Sequence, residues 1–141
     1  DLDIAVKTDP DNWAVWFCRA QVRARSVEAR QAEQDDEGKA DAGYQGVIRD
    51  LSNAIELEPS FAFAYYNRGT FYAMTNDMHA ALVDFDKAIE LDANLAEAWY
   101  NRGLVLVMLN RMDDAFRALS RAGELGIYSA YNIIKRFSKS E

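Results

Sequence analysis

The feature that most constrains this chain is a repeat with a period of 34 residues. The segment Ala62–Gly69 reads AFAYYNRG, and the segment Ala96–Gly103 reads AEAWYNRG. The same shift carries Ala81 onto Ala115. Self-similarity at this period is typical of stacked helical repeats, in which each unit packs on its neighbours. Repeat positions are counted from the first residue of each segment.

The composition agrees with an all-helical protein. Only two prolines and seven glycines occur in 141 residues, and apolar side chains recur at spacings of three and four. On a helix, positions 4, 8 and 11 share one stripe. We expect Tyr65 and Trp99 to fill volume on this stripe, while Gly69 and Gly103 let the backbones approach closely.

These residues resemble the tetratricopeptide repeat family, whose pattern has an aromatic at position 4, Gly at 8, Tyr at 11, Ala at 20, an aromatic or Leu at 24, Ala at 27 and Pro at 32. The matching residues are Tyr65, Gly69, Tyr72, Ala81, Phe85 and Ala88, and then Trp99, Gly103, Leu106, Ala115, Leu119 and Ala122. At position 32, Ala93 and Ile127 replace the proline. The resemblance implies an all-α, tetratricopeptide-type α-α solenoid, a right-handed superhelix of antiparallel helix pairs.

The repeat frame divides the chain into five segments. They are the second helix of a truncated repeat (1–12), a repeat with an inter-helix insert at about 26–43 (13–61), two further repeats (62–95 and 96–126), and a closing helix (127–141). We expect the insert to lengthen the first helix through Gln34 by about two turns. A solvated acidic loop is then expected from Asp35 to Gly43.

The first segment is only half a repeat, which suggests a piece of a longer array. A lone half-repeat would expose the apolar face that it normally shares. We therefore expect Leu2, Ala5 and Val6 to pack on the helix that carries Trp16.

Charge and the scarcity of reactive residues exclude several functional classes. Sixteen Lys and Arg against 23 Asp and Glu give a net charge of -7, which disfavours a nucleic-acid partner. One cysteine, Cys18, and one histidine, His79, supply neither an internal disulfide nor a clustered metal site. No glycine-rich phosphate loop and no apolar run of roughly 18 residues occurs. The sequence predicts no catalytic residues, no cofactor, no metal and no membrane span.

In tetratricopeptide arrays the first helices line the concave side of the superhelix, so the resemblance implies a binding face at positions 2, 5, 6, 9, 12 and 13. Its aromatic, amide and thioether side chains suit an extended or helical peptide. The predicted peptide-binding residues are Phe17, Gln21, Phe63, Tyr66, Asn67, Thr70, Met74, Glu97, Tyr100, Asn101 and Leu104.

Two binding modes known in the family can be compared with these residues. A carboxylate clamp needs basic side chains at positions that here hold aromatic, amide and acidic residues, and only Asn67 fits. An asparagine ladder at position 6 fits Asn67 and Asn101 but is interrupted by Cys18. The alternative is that these amides bond only within the fold.

The function predicted from the sequence is a noncatalytic scaffold or adaptor module that binds a protein or peptide partner of unknown identity. Two alternatives remain open. The array is the targeting arm of an enzyme whose catalytic domain lies upstream, or it is a self-assembly element that associates through its truncated first repeat.

Position 7 carries an arginine in all three repeats and adjoins the core-facing stripe, where a charge needs a partner. Position 23 offers Asp1, Asp50 and Asp84, and then Ala118. Pairing each arginine with the preceding repeat gives three ion pairs, Arg19 with Asp1, Arg68 with Asp50 and Arg102 with Asp84. We predict these inter-repeat staples; the alternative is that the arginines extend along the core into water.

Overall fold

The structure is a computed structural model that describes residues 1–34 and 37–139. Within those residues the chain forms eight α-helices joined by short turns. The helices are α1 (Leu2–Thr8), α2 (Trp13–Gln34), α3 (Glu37–Leu57), α4 (Ala62–Met74), α5 (Met78–Leu91), α6 (Ala96–Met108), α7 (Met112–Glu124) and α8 (Ser129–Ser138). The pairs α2/α3, α4/α5 and α6/α7 pack most extensively, and each pair packs on the next. The chain is an α-α solenoid, as predicted.

The helix pairs α4/α5 and α6/α7 close where a glycine of the first helix faces a large side chain of the second. A Cβ atom on Gly69 would lie 2.9 Å from Phe85 Cε1, and one on Gly103 would lie 2.6 Å from Leu119 Cγ. Phe85 and Leu119 are fully buried. A side chain at Gly69 or Gly103 would displace the second helix of its pair, whereas the α2/α3 pair accommodates Ala20 at the same position.

The aromatic residue at position 4 ties each first helix to the turn that precedes it. Trp16 Nε1 donates to the carbonyl of Pro10 at 2.8 Å, and Trp99 Nε1 donates to the carbonyl of Ala93 at 2.9 Å. Tyr65 Oη donates to the carbonyl of Pro59 at 3.0 Å. The polar group of this aromatic side chain therefore anchors the first helix of each repeat to the turn that ends the preceding repeat.

The insert lengthens both helices of its repeat. α2 has 22 residues against 13 in α4, an extension of nine residues or about two and a half turns. The predicted extension through Gln34 agrees with the helix end, but the predicted loop from 35 to 43 is wrong over residues 37–43, which belong to α3. Asp35 and Asp36 lie outside the described residues. Tertiary packing explains the helix, since Val27 and Tyr44 are buried together between the lengthened helices.

Arg19 and Arg68 pair within their own repeats and Arg102 bonds to Asp86, so the predicted staples to position 23 of the preceding repeat are wrong. Arg68 Nε and Nη2 donate to the two carboxylate oxygens of Asp84, each at 2.7 Å. Arg19 forms the same fork with Asp50 at 3.0 and 2.8 Å. These hydrogen bonds raise the pKa of both guanidinium groups, against the opposing effect of burial. The pairing within a repeat follows from helical geometry, because a side chain at position 23 of the second helix faces the first helix of the same repeat.

Bonds between repeats do exist, but they use position 25 rather than position 23. Arg19 Nη1 reaches Asp3 Oδ1 at 3.2 Å, and Arg68 Nη1 reaches Ser52 Oγ at 3.1 Å. In the third repeat, Ala118 occupies position 23. Arg102 instead donates from Nε to Asp86 Oδ1 of the preceding repeat at 2.6 Å.

The ends of the array are covered by short helices. α1 lies against α2; Val6 is buried, while Leu2 and Ala5 are half-buried. α8, inside the predicted closing segment, packs on α7 through Ala130, which joins Leu119 and Ala122 in one buried cluster. None of the helices in the described part of the chain has the length and apolarity needed to span a bilayer.

Candidate functional site

The first helices α2, α4 and α6 run parallel to one another and leave two furrows between them. We call these the α2/α4 furrow and the α4/α6 furrow. Large apolar side chains of this face stay exposed, with exposed fractions of 40% for Phe63, 47% for Met74 and 67% for Met108. Apolar side chains are exposed elsewhere too, for example Val83 on α5 at 68%, so the recess described below rather than exposure alone marks this face as a surface for interaction.

The α4/α6 furrow is bridged halfway by a hydrogen bond. Asn101 Nδ2 donates to Thr70 Oγ1 at 3.0 Å, and Thr70 donates in turn to the carbonyl of Tyr66 at 3.0 Å. Both Thr70 and Asn101 are half-buried. Two of the predicted binding residues are therefore partners of each other, as the alternative for Asn101 proposed.

One turn towards the N-termini of these helices, Tyr66 and Glu97 stand opposite each other. Tyr66 precedes Thr70 by four residues and Glu97 precedes Asn101 by four, so each lies on the same helix face as its successor. Burial raises the pKa of the Tyr66 phenol, and the negative charge of Glu97 raises it further, while hydrogen bonding with Thr70 and Asn101 acts in the opposite direction. The phenol is therefore neutral near pH 7.

In the other direction the furrow opens into an apolar recess of about 220 Å³. Ala73 and Met74 of α4 form one wall, Leu104 and Met108 of α6 form the other, and Phe85 of α5 lines it as well. Thr70 and Asn101 stand at its polar end. Thioether side chains adapt to different shapes, so this recess suits an apolar side chain of a ligand.

The α2/α4 furrow is filled by a series of aromatic rings. Phe17 contacts Phe61 at 5.1 Å and Phe63 at 6.2 Å between ring centroids, and Phe63 contacts Tyr66 at 5.4 Å. Trp13 extends the series by packing on Phe61 at 4.8 Å. These rings present aromatic faces along the α2/α4 furrow.

Asn67 differs from Asn101 although both occupy position 6. In the described part of the chain, Asn67 Nδ2 is a buried nitrogen with no hydrogen-bond partner. The residue at position 9 of the preceding helix is Gln21, where the next furrow has Thr70. A buried donor without an acceptor costs free energy, so the fold holds Asn67 at a cost that the hydrogen-bonded amide of Asn101 avoids.

The remaining predicted residues are distributed around these features. Tyr100 packs beside the cluster of Leu119, Ala122 and Ala130, facing α8 rather than the α4/α6 furrow. Cys18 is an exposed free thiol and His79 is exposed. No group of three or more metal-ligating side chains comes together in residues 1–34 and 37–139. Ala73 and Met108 lie at positions 12 and 13 of the predicted binding face, whereas Phe85 and Val105, which also line the recess, lie outside that face.

Stacked antiparallel helix pairs with an open concave face define a class of α-α solenoid. Models described as Tetratricopeptide repeat match residues 62–95 and 85–117. Residues 62–117 of the chain therefore consist of tetratricopeptide repeats. The fold of this family is that of a protein-interaction module, generally without catalytic activity.

Solved structures agree with this assignment. The crystal structure of MamA superposes with a TM-score of 0.74 at 22% identity, over 94% of this chain and 70% of MamA. The first repeat domain of Spaghetti (RPAP3), bound to the HSP90 peptide SRMEEVD, gives 0.66 at 20% identity, over 84% of this chain and 92% of that domain. The NMR structure of the first such domain of human RPAP3 gives 0.67 at 20% identity, over 85% and 90%. These likenesses establish the fold, and no curated protein sequence matched significantly.

Proposed function

We propose that the chain is a noncatalytic interaction module that holds an extended segment of a partner protein along its concave furrows. The observation that carries this proposal is the unpaired amide donor of Asn67 on α4, the helix that also forms one wall of the open apolar recess. An amide donor can bind a backbone carbonyl, and a recess can take a side chain, which are the two elements of peptide recognition. The peptide-bound structure of the RPAP3 domain, which shares this fold, supports a peptide as the occupant.

The decisive variant is Asn67→Ala, because binding and folding predict opposite effects for it. Asn67 Nδ2 is enclosed in the free protein, so a ligand accepts from it only when the side chain turns outward. Removing the amide then relieves an unpaired buried donor, so the free energy of unfolding stays the same or rises. The affinity for a bound peptide falls about two- to tenfold, the value of one neutral hydrogen bond. Peptides selected from a random display library by the unchanged protein, and then synthesised, serve as probes, with affinities measured by calorimetry.

The matched control is Asn101→Ala at the same repeat position. This change breaks the bond to Thr70, so it lowers the free energy of unfolding by about 1 kcal/mol. If Asn67→Ala also lowers stability by that amount and leaves the affinity for the peptide unchanged, the amide serves the fold and the proposal fails.

A further inference from the structure

The two walls of the α4/α6 furrow are parallel helices, so their side chains meet at successive levels. The Thr70–Asn101 bond of 3.0 Å fixes the register between them. Four residues earlier on each helix stand Tyr66 and Glu97, and four residues later stand Met74 and Val105, next to the recess. The furrow therefore has an acidic and aromatic level at one end and an apolar level at the other.

The acidic level has the chemistry of a cation site. Glu97 is exposed, and no lysine or arginine among the described residues forms an ion pair with it. Across the furrow lies Tyr66, where burial and then the charge of Glu97 raise the pKa of the phenol. The Tyr66 ring packs on Phe63 with 5.4 Å between the ring centroids, and Phe63 is 40% exposed. A carboxylate beside aromatic faces attracts an ammonium or guanidinium group through both its charge and the ring quadrupoles.

The distance between the two levels sets the spacing of a ligand. Tyr66 to Met74 is eight residues of helix, or about 12 Å at a rise of about 1.5 Å per residue. An extended chain, which rises about 3.3 Å per residue, covers this distance in about four residues. Side chains four residues apart in an extended chain point to the same side, so both can enter the furrow.

Resting on the proposed peptide-binding function, we propose that the α4/α6 furrow selects a basic and apolar segment of its partner. A lysine or arginine side chain lies between Glu97 and the rings of Phe63 and Tyr66. An apolar side chain about four residues away enters the recess between Met74 and Leu104. This preference is opposite in charge to the acidic end of SRMEEVD, because the chain places Glu97 where an acidic ligand would need a basic side chain.

The test is a selection from a random eight-residue peptide display library on the full chain and on the Glu97→Gln variant. We expect the unchanged protein to enrich peptides with Lys or Arg about four residues from a Leu, Met or Phe. The Glu97→Gln variant should retain the apolar preference and lose the basic one. Glu56→Gln removes the same charge from an exposed site on α3, outside the furrow, and should select as the unchanged protein does.

Synthetic peptides measure the effect directly. A selected lysine peptide should bind the unchanged protein about five- to thirtyfold more tightly than the same peptide with acetyl-lysine, a neutral side chain of similar length. This ratio should fall close to one in the Glu97→Gln variant and stay high in Glu56→Gln. The affinity of the lysine peptide should also weaken as salt is added, because exposed charges are screened.

The outcomes separate this inference from the function on which it rests. Selected peptides that share an apolar residue but show no basic preference, or an acidic one, overturn the charge assignment and leave the peptide-binding function standing. Equal loss of affinity in Glu97→Gln and Glu56→Gln overturns it as well, since only overall charge would matter. If the library yields no enriched peptide, both proposals fail.

Discussion

The second and third repeats carry the same arginine at position 7, yet the two side chains sit in different electrostatic environments. Arg68 forms a fork with Asp84, whose side chain is 3% exposed. Arg102 makes a bond to Asp86, whose side chain is 58% exposed. The difference arises from one residue, because position 23 is Asp84 in one repeat and Ala118 in the next.

This comparison separates two roles that one arginine combines in the second repeat. The fork to Asp84 holds the two helices of a repeat together, while the bond from Arg68 to Ser52 joins one repeat to the one before it. In the third repeat only the second role survives, through Arg102 and Asp86. Buried and exposed ion pairs differ severalfold in what they contribute to stability, so the two repeats should respond very differently to substitution.

The largest effect is expected from Asp84→Ala. The change leaves the guanidinium of Arg68 partly buried without its carboxylate, which should lower the free energy of unfolding by about 3–5 kcal/mol in urea titrations. Asp84→Asn keeps the volume and one acceptor, so its loss should be smaller and the variant easier to fold. The matched control is Asp86→Ala, on the same helix and exposed, with an expected loss of at most about 1 kcal/mol. Equal losses at the two sites would remove the distinction between the repeats.

Ala118→Asp should give the third repeat the ion pair between positions 7 and 23 that Arg68 and Asp84 form in the second repeat. Ala118 is fully buried at the position from which Asp84 contacts Arg68, so the new carboxylate should draw Arg102 away from Asp86. A double-mutant cycle with Arg102→Ala should give a coupling of about 1.5–3 kcal/mol, the value of hydrogen bonds between charged groups. If Ala118→Asp is equally destabilising with and without Arg102, position 23 does not choose the partner.

The repeat period was enough to predict the solenoid, because glycines, alanines and aromatics recurring at fixed positions permit only one kind of stacking. The partner of each arginine was not predicted correctly, because pairing with the preceding repeat accounts for three arginines and pairing within a repeat for only two, and this count contains no information on which way each side chain faces. Two residues of helix turn a side chain by about 200°, which separates positions 23 and 25 onto different faces. The repetition of Asp3, Ser52 and Asp86 at position 25 was the missed signal.

The candidate site shows the same limit. The sequence placed Asn67 and Asn101 on the concave face by their shared position, and it could not distinguish them. Their difference depends on the residue opposite, which is Gln21 in one furrow and Thr70 in the other, and on whether that side chain reaches the amide. Local propensity likewise predicted a loop at 37–43, where burial of Val27 and Tyr44 favours a helix.

The smallest effect is expected for the bond between Arg102 and Asp86. A double-mutant cycle on this pair should give about 0.2–1 kcal/mol, because Asp86 is exposed and water competes for both groups. The coupling should shrink further between about 0.05 and 0.5 M salt, where the screening length falls from over 10 Å to a few ångströms. Coupling between Arg102 and Asp84 should be near zero, since Asp84 is already held by Arg68. A coupling of Arg102 to Asp84 that is larger than its coupling to Asp86 would contradict this assignment. It would mean that position 23, and not position 25, makes the contact between repeats.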